Sequence, residues 1–321
     1  MKRILVTGGG GYVGSLLVPA LLKEGYTVRV LDTFWFGQEV IPGGTDIVVG
    51  DLRDPETVSE SLKDCDAVIH LACISNDPSF ELNPELGKSI NYDCFPHLVR
   101  ASVENGVERF IYASSSSVYG VKSEPNVTED LSLEPLTDYS KYKALCEDYL
   151  KQSDTKDMEW VTIRPATVCG YAPRLRLDLT VNILTAHAYF NKAMTVFGGG
   201  QLRPNINIKD MVSAYLLLLK APKELIHRDV FNVGYENHSV LSIAEMIRDI
   251  VGNDVSLTST ESSDNRSYHI SSKKIKDRLG FEPEFTIADA VTDLVSAFKD
   301  GKVSNPKDPK YTNIKRLQEI L

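Results

Sequence analysis

The chain predicts an α/β fold: a doubly wound parallel sheet followed by a smaller, mixed α/β C-terminal lobe. Two observations carry this. Short, continuously apolar segments alternate with amphipathic helical segments through the first half, as in parallel strands covered on both faces. The first apolar segment, Ile4-Leu5-Val6, runs into four consecutive glycines and then a helical stretch, giving a strand–turn–helix unit at the start.

Taken in order, strands are expected at 4–7, 28–31, 46–49, 67–71, 109–113 and 160–163, with helices at 55–62, 85–105 and 139–152 among them. After Arg164-Pro165 the alternation loosens. A helix at 179–190, a hairpin-like glycine stretch at 197–200 and a helix at 211–219 follow, then a short strand at 231–234 and helices at 242–251 and 287–299. From Gly301 the chain is polar with prolines and reads as a peripheral tail.

A chain of 321 residues, 42% hydrophobic and 25% charged, can bury a substantial core. A net charge of −9 excludes a general nucleic-acid surface, so an anionic ligand must be met by a few local arginines. The five cysteines show neither a CxxC pair nor metal-ligand spacing; no metal site is expected, and the thiols read as buried groups in a reducing compartment. Lys2 and Arg3 lead straight into the first strand, and no apolar run reaches the roughly 18 residues of a membrane span, so a cytoplasmic protein is expected.

Gly8-Gly9-Gly10-Gly11-Tyr12-Val13-Gly14 is the chemical signal of the first unit. Glycine allows positive φ and lets a pyrophosphate approach without meeting a Cβ, and the helix behind it aims free N–H groups at the phosphates. The run fits both Gly9-x-Gly11-x-x-Gly14 and Gly8-x-x-Gly11-x-x-Gly14. Asp32, 18 residues beyond Gly14, ends the second strand, where a carboxylate accepts from both ribose hydroxyls and repels a 2′-phosphate. No cation follows it closely, which favours NAD over NADP. Asp51-Leu52 after the third strand suit the flanks of an adenine, and Leu71-Ala72 after the fourth let the backbone pass close to a cofactor. His70 reads as structural, and the aromatic cluster Phe34-Trp35-Phe36 suits cofactor cover, subunit contact or loop packing equally. Residues 1–165 are therefore expected to form a Rossmann-like NAD-binding domain with later returns near 205–235, with 166–300 mainly a substrate lobe and 301–321 the tail.

Tyr139 and Lys143 are four apart and share a helix face, where an ammonium can stabilise a phenolate. Ser114 to Ser117 supply hydroxyls at the carboxyl edge of the sheet, the edge at which open α/β sheets bind ligands.

With the glycine turn, Asp32, the strand-end serines and Tyr139-x-x-x-Lys143 in this order, residues 1 to about 297 resemble the extended short-chain dehydrogenase/reductase family. Within it they are most similar to the NAD-dependent nucleotide-sugar epimerase/dehydratase group. The resemblance favours the Gly8-x-x-Gly11-x-x-Gly14 register, with Tyr12 and Val13 beside the cofactor. It implies Tyr139 as catalytic base, Lys143 on the nicotinamide ribose, Ser115 on the reacting sugar oxygen and Asn91 among the cofactor residues. Arg203 and Arg266 match phosphate-binding arginines of the group, while Arg174, Arg176, Asn182, Ser75, Ser116 and Thr167 are further substrate candidates. Family dehydratases carry Asp-Glu directly after the catalytic hydroxyl; here Ser116 and Ser117 stand there, without useful acidity. The expected activity is oxidoreduction at C4 of a nucleotide-diphosphate sugar, foremost 4-epimerisation. A 4-dehydrogenase releasing the ketone is the alternative, ahead of a 4,6-dehydratase or a non-catalytic NAD-binding protein. A homodimer is implied, through helices 85–105 and 139–152.

Overall fold

The computed structural model describes residues 2–260 and 269–321. Among the described residues twelve strands are formed: β1 Arg3–Thr7, β2 Thr27–Asp32, β3 Asp46–Val49, β4 Ala67–His70, β5 Arg109–Ala113, β6 Glu159–Pro165, β7 Thr167–Cys169, β8 Ala193–Phe197, β9 Leu202–Asn207, β10 Asp229–Val233, β11 Glu236–Ser239 and β12 Ser256–Thr260. Seven make one sheet in the order β10-β6-β5-β4-β1-β2-β3, with every pairing parallel. The order reverses between β1 and β4, so a crevice opens beyond their carboxyl ends.

Side chains alternate faces along each strand, and both faces are buried. Ile4, Val6, Val28, Val30, Ile69, Ile111 and Val161 pack on one side, with Leu17, Leu21, Met211 and Tyr215 from the helices Gly14–Lys23 and Ile208–Lys220. Leu5, Val68, Phe110, Tyr112 and Trp160 pack on the other, under the helices Pro55–Leu62, Phe95–Glu104 and Asp138–Gln152. Burial of each such large side chain contributes about 1.5–3 kcal/mol, which is why these strands read as unbroken apolar runs. The smaller lobe holds a mixed three-stranded sheet, β11-β9-β7, and the parallel pair β12-β8. Its own core is built from Val181, Leu184, Met194, Val196, Ile243, Ile247 and Val291.

Three expectations are corrected. The helix at 85–105 is divided into Pro84–Lys88, a π-helical turn Ser89–Asp93 and Phe95–Glu104, because Pro96 has no N–H to return to the carbonyl four residues back. The glycine stretch at 197–200 is no hairpin: Gly198 and Gly199, at φ 80° and 102°, carry the chain from β8 into a different sheet, where β9 pairs with β7 and β11. The segment from Gly301 is not peripheral. Val303 and Tyr311 pack against Leu175, Leu177 and Phe298, and a helix, Asn313–Ile320, lays Leu317 against Ile74 and Phe80. Among the described residues, no helix is long and apolar enough to cross a membrane.

Candidate active site

The glycine turn closes one end of a cavity of about 400 Å³ at the carboxyl edge of the sheet. Gly8 stands at φ +73°, and a Cβ there would come within 2.6 Å of the Ala72 amide nitrogen. Gly14 is equally constrained: its Cβ would lie 2.4 Å from the Gly9 carbonyl oxygen. Glycine at both positions lets the turn, the strand-β4 end and the helix start close on one another. The Asp32 carboxylate accepts from Gly10 N at 2.9 Å and from Phe34 N at 2.8 Å. Burial raises its pKa, opposed by those two donors and by the charge of Arg174. Gly8, Gly11, Tyr12, Val13, Asp32, Asp51, Leu52, Leu71 and Ala72 all line the cavity, whereas Gly14 lies behind it. The Tyr12 hydroxyl donates to Gly170 O at 2.6 Å, and Asp51 is held in a two-pronged pair by Arg53.

At the other end, Tyr139 and Lys143 occupy the first turns of helix Asp138–Gln152. Its start is fixed by a reciprocal cap between Thr137 and Ser140. The Lys143 ammonium donates to Ala113 O at 2.6 Å, at the end of β5. Ser115 caps the short 3₁₀ turn Ser116–Tyr119, with its Oγ 2.8 Å from Ser117 Oγ. Burial pushes the Tyr139 phenol up; the charge of Arg176 and hydrogen bonding with Ser115 act the other way, and Cys73 and Asp77 add to the rise. Beneath these groups Ser114 Oγ donates to Glu147 Oε1 at 2.5 Å. Glu147 forms a buried ion pair with Arg164 at 2.6 Å, and Arg164 donates to the Tyr119 hydroxyl at 2.7 Å. This network ties the ends of β5 and β6 to helix Asp138–Gln152.

Between the two ends stand Ser75, Ser116, Thr167, Arg174 and Arg176. Arg176 donates to Asp178 Oδ1 at 2.8 Å and to Ser75 Oγ at 3.1 Å. Arg174 lies 3.8 Å over the Phe36 ring and donates to Asn313 Oδ1. Burial, and then the neighbouring charge of Arg176, lower its pKa to about 9. Arg174 Nε and Arg176 Nη2 are buried with no hydrogen-bond partner among the described residues, and both arginines line the cavity, where guanidinium groups suit an anion.

Besides Gly14, three expected site residues fall outside the cavity lining. Asn91 does not line the cavity: it accepts from Ile74 N at 2.8 Å and donates to Ile74 O at 2.9 Å, fixing the loop that does. Asn182 is fully buried and holds Gly170 N at 2.9 Å and Arg176 O at 2.9 Å. Both side chains satisfy buried backbone groups that need partners. Arg203 sits on β9, opposite His238, outside the cavity lining. Arg266 lies outside the described residues. His70 is structural as expected: it is buried on Tyr112, with Nδ1 2.7 Å from Thr7 Oγ1.

The sequence missed Cys73, Ile74, Tyr215, Asn313 and Leu317, all of which line the cavity. The apolar periodicity of 287–299 signalled a helix, but 313–320 shows only three apolar residues among charges, and nothing local tied it to a distant site.

A family model described as the NAD dependent epimerase/dehydratase family matches residues 4–234. The chain belongs to that family. It is thus an enzyme of the extended short-chain dehydrogenase/reductase type. The UDP-glucose 4-epimerase of Lactobacillus helveticus is 30% identical over 329 aligned residues, covering 95% of this chain and 98% of that one. The structure of UDP-glucose 4-epimerase from Thermotoga maritima with UDP-glucose superposes with a TM-score of 0.85 at 26% identity, over 93% of this chain and 99% of that one. UDP-glucuronic acid 4-epimerase from Bacillus cereus, in complex with UDP-glucuronic acid and NAD, gives 0.82 at 28% identity, over 93% and 99%. The family's sheet, glycine turn and Tyr-x-x-x-Lys helix thus share one cavity in this chain.

Proposed function

We propose that this enzyme uses NAD to epimerise C4 of a nucleotide-diphosphate sugar. The observation that carries the reading is the meeting, in one cavity, of a glycine turn tight enough to exclude any Cβ with Tyr139, Ser115 and two buried arginines. The residues fit NAD on their own chemistry. Gly8, Gly10 and Gly11 line the cavity without side chains that would bar a pyrophosphate, Asp32 is a buried carboxylate suited to ribose hydroxyls, and Lys143 stands beside the strand end where a nicotinamide ribose would lie. When bound, NAD supplies reversible oxidation of the carbinol carbon.

This chain's residues supply the rest. Tyr139, as phenolate, takes the C4 hydroxyl proton and later returns it; Ser115 holds the same oxygen. Lys143 orients the ribose, and Arg174 and Arg176 present donors to the anionic part of the substrate. Ser116 and Ser117 provide no acid to remove water from the ring, which argues against dehydration. Tyr139→Phe should lower kcat by about 10²–10⁴-fold while NAD still binds. Normal interconversion of UDP-hexoses by that variant would sink the reading. A 4-dehydrogenase would instead accumulate ketone and stoichiometric NADH from the unaltered enzyme.

We further propose that the enzyme works in the cytoplasm, where its five free cysteines stay reduced. We also propose a homodimer, joined through helices Phe95–Glu104 and Asp138–Gln152. Light scattering at the mass of a single 35.6 kDa chain would oppose the dimer.

A further inference from the structure

Helix Asn313–Ile320 touches three sides of the cavity at once. On the cofactor side, Arg316 Nε donates to Trp35 O at 2.7 Å, on the loop beyond Asp32. On the sugar side, Asn313 Nδ2 donates to Ser75 Oγ at 2.9 Å, and Leu317 packs with Ile74 and Phe80, beside Tyr139. On the arginine side, Asn313 N donates to Asp178 Oδ2 at 2.9 Å, while its Oδ1 accepts from Arg174. Asp178 in turn holds Arg176. Asn313 is 5% and Leu317 2% exposed, and both line the cavity.

We propose that this helix is a wall of the active site that retains the oxidised sugar between the two half-reactions. In it Asn313 positions Arg174 and Arg176, and Leu317 covers the sugar beside Tyr139. The inference rests on the epimerase reading. In that reaction the C4–H bond gives its hydrogen and electron pair to NAD and the hydroxyl proton goes to Tyr139. The hydride returns to C4 and the proton to its oxygen, so the cycle needs no outside oxidant and stays closed only while the ketone is held. A ketone that escapes leaves the enzyme as its NADH form, unable to start another turnover. The ketone must also turn over within the site, which calls for a covering surface that is apolar and makes no directional bond; Leu317 meets that need.

The test uses the full-length enzyme with NAD and the best UDP-hexose of a panel. Leu317→Ala, and Arg316→Ala as a variant outside the cavity lining, should each raise hydroxylamine-trapped ketone and NADH per turnover about tenfold. Leu317→Met should restore retention. Asn313→Ala should raise KM more than it lowers kcat. Unchanged ketone release in both Leu317→Ala and Arg316→Ala would overturn the proposal. Hydrogen exchange gives a second readout: the amides of 313–320 should exchange more slowly when NAD is added, and faster in Arg316→Ala than in the unaltered protein. Absence of turnover on the whole panel would defeat the epimerase reading instead. The wall would then stand or fall on exchange alone, with unchanged rates on adding NAD overturning it.

Discussion

Arg174 and Asn313, 139 residues apart in the chain, are hydrogen-bonded inside the cavity. Arg176, two residues on, is held by Asp178, which also receives Asn313 N. Burial, and then the charge of neighbouring Arg176, lower the pKa of Arg174. Asn313 partners one guanidinium and Asp178 the other, and one more negative group would offset the remaining charge.

Arg176 should tune Tyr139, the proposed base, as well as bind substrate. Its charge opposes the rise that burial imposes on Tyr139. Arg176→Ala removes that help, so a higher pH is needed to form the phenolate. The acid limb of the kcat/KM profile should move to higher pH, with KM rising in parallel. A rise in KM with an unmoved limb would restrict Arg176 to binding.

Asp32 should decide the cofactor. Asp32→Ala removes the acceptor of Gly10 N and Phe34 N and the carboxylate proposed for the ribose. NAD affinity should fall by about 1–3 kcal/mol, and the preference for NAD over NADP should shrink. Calorimetric titration of both nucleotides measures this, and equal losses for the two would contradict it.

His70 should give the fold an acid limit. Burial, with the charge of Lys143, lowers its pKa from 6.5 to about 3. The folded state therefore binds fewer protons than the unfolded chain across that interval. Stability from this group is complete above pH 6.5 and is lost as pH falls towards 3, at a limiting slope of about 1.4 kcal/mol per pH unit. In His70→Gln the decline of Tm with falling pH should be shallower than in the unaltered protein.

The Glu147–Arg164 pair should be costly to break. Both side chains are buried, at 0% and 2% exposure. Arg164→Met leaves an unpaired carboxylate beneath the serines that follow β5, and about 3–5 kcal/mol of stability should be lost. Glu147→Gln together with Arg164→Met should recover part of it, which urea denaturation would show.

Much of this was legible because periodic burial writes itself into sequence. Strand β5 and helices Pro55–Leu62 and Ile287–Lys299 fall where their apolar spacing placed them. The glycine turn was equally plain, since Gly8 and Gly14 meet backbone that no side chain could clear. Asn91 and Asn182 each satisfy buried backbone groups, a task that leaves the same mark in sequence as a side chain meant for a ligand. Asn313 and Leu317 left no trace, since their partners are hundreds of residues away and their helix presents one buried leucine among polar neighbours.

The shelter over Arg174 and Arg176 also bears on how the protein responds to salt. In a molecule of net charge −9, cations on the surface would lose much of their pull on an anion as ionic strength rises. These two are nine-tenths enclosed, and mobile counter-ions cannot surround them. Anion capture should therefore weaken little in concentrated sodium chloride, whereas a small phosphate or sulfate able to enter the cavity would act as a competitor for the same donors.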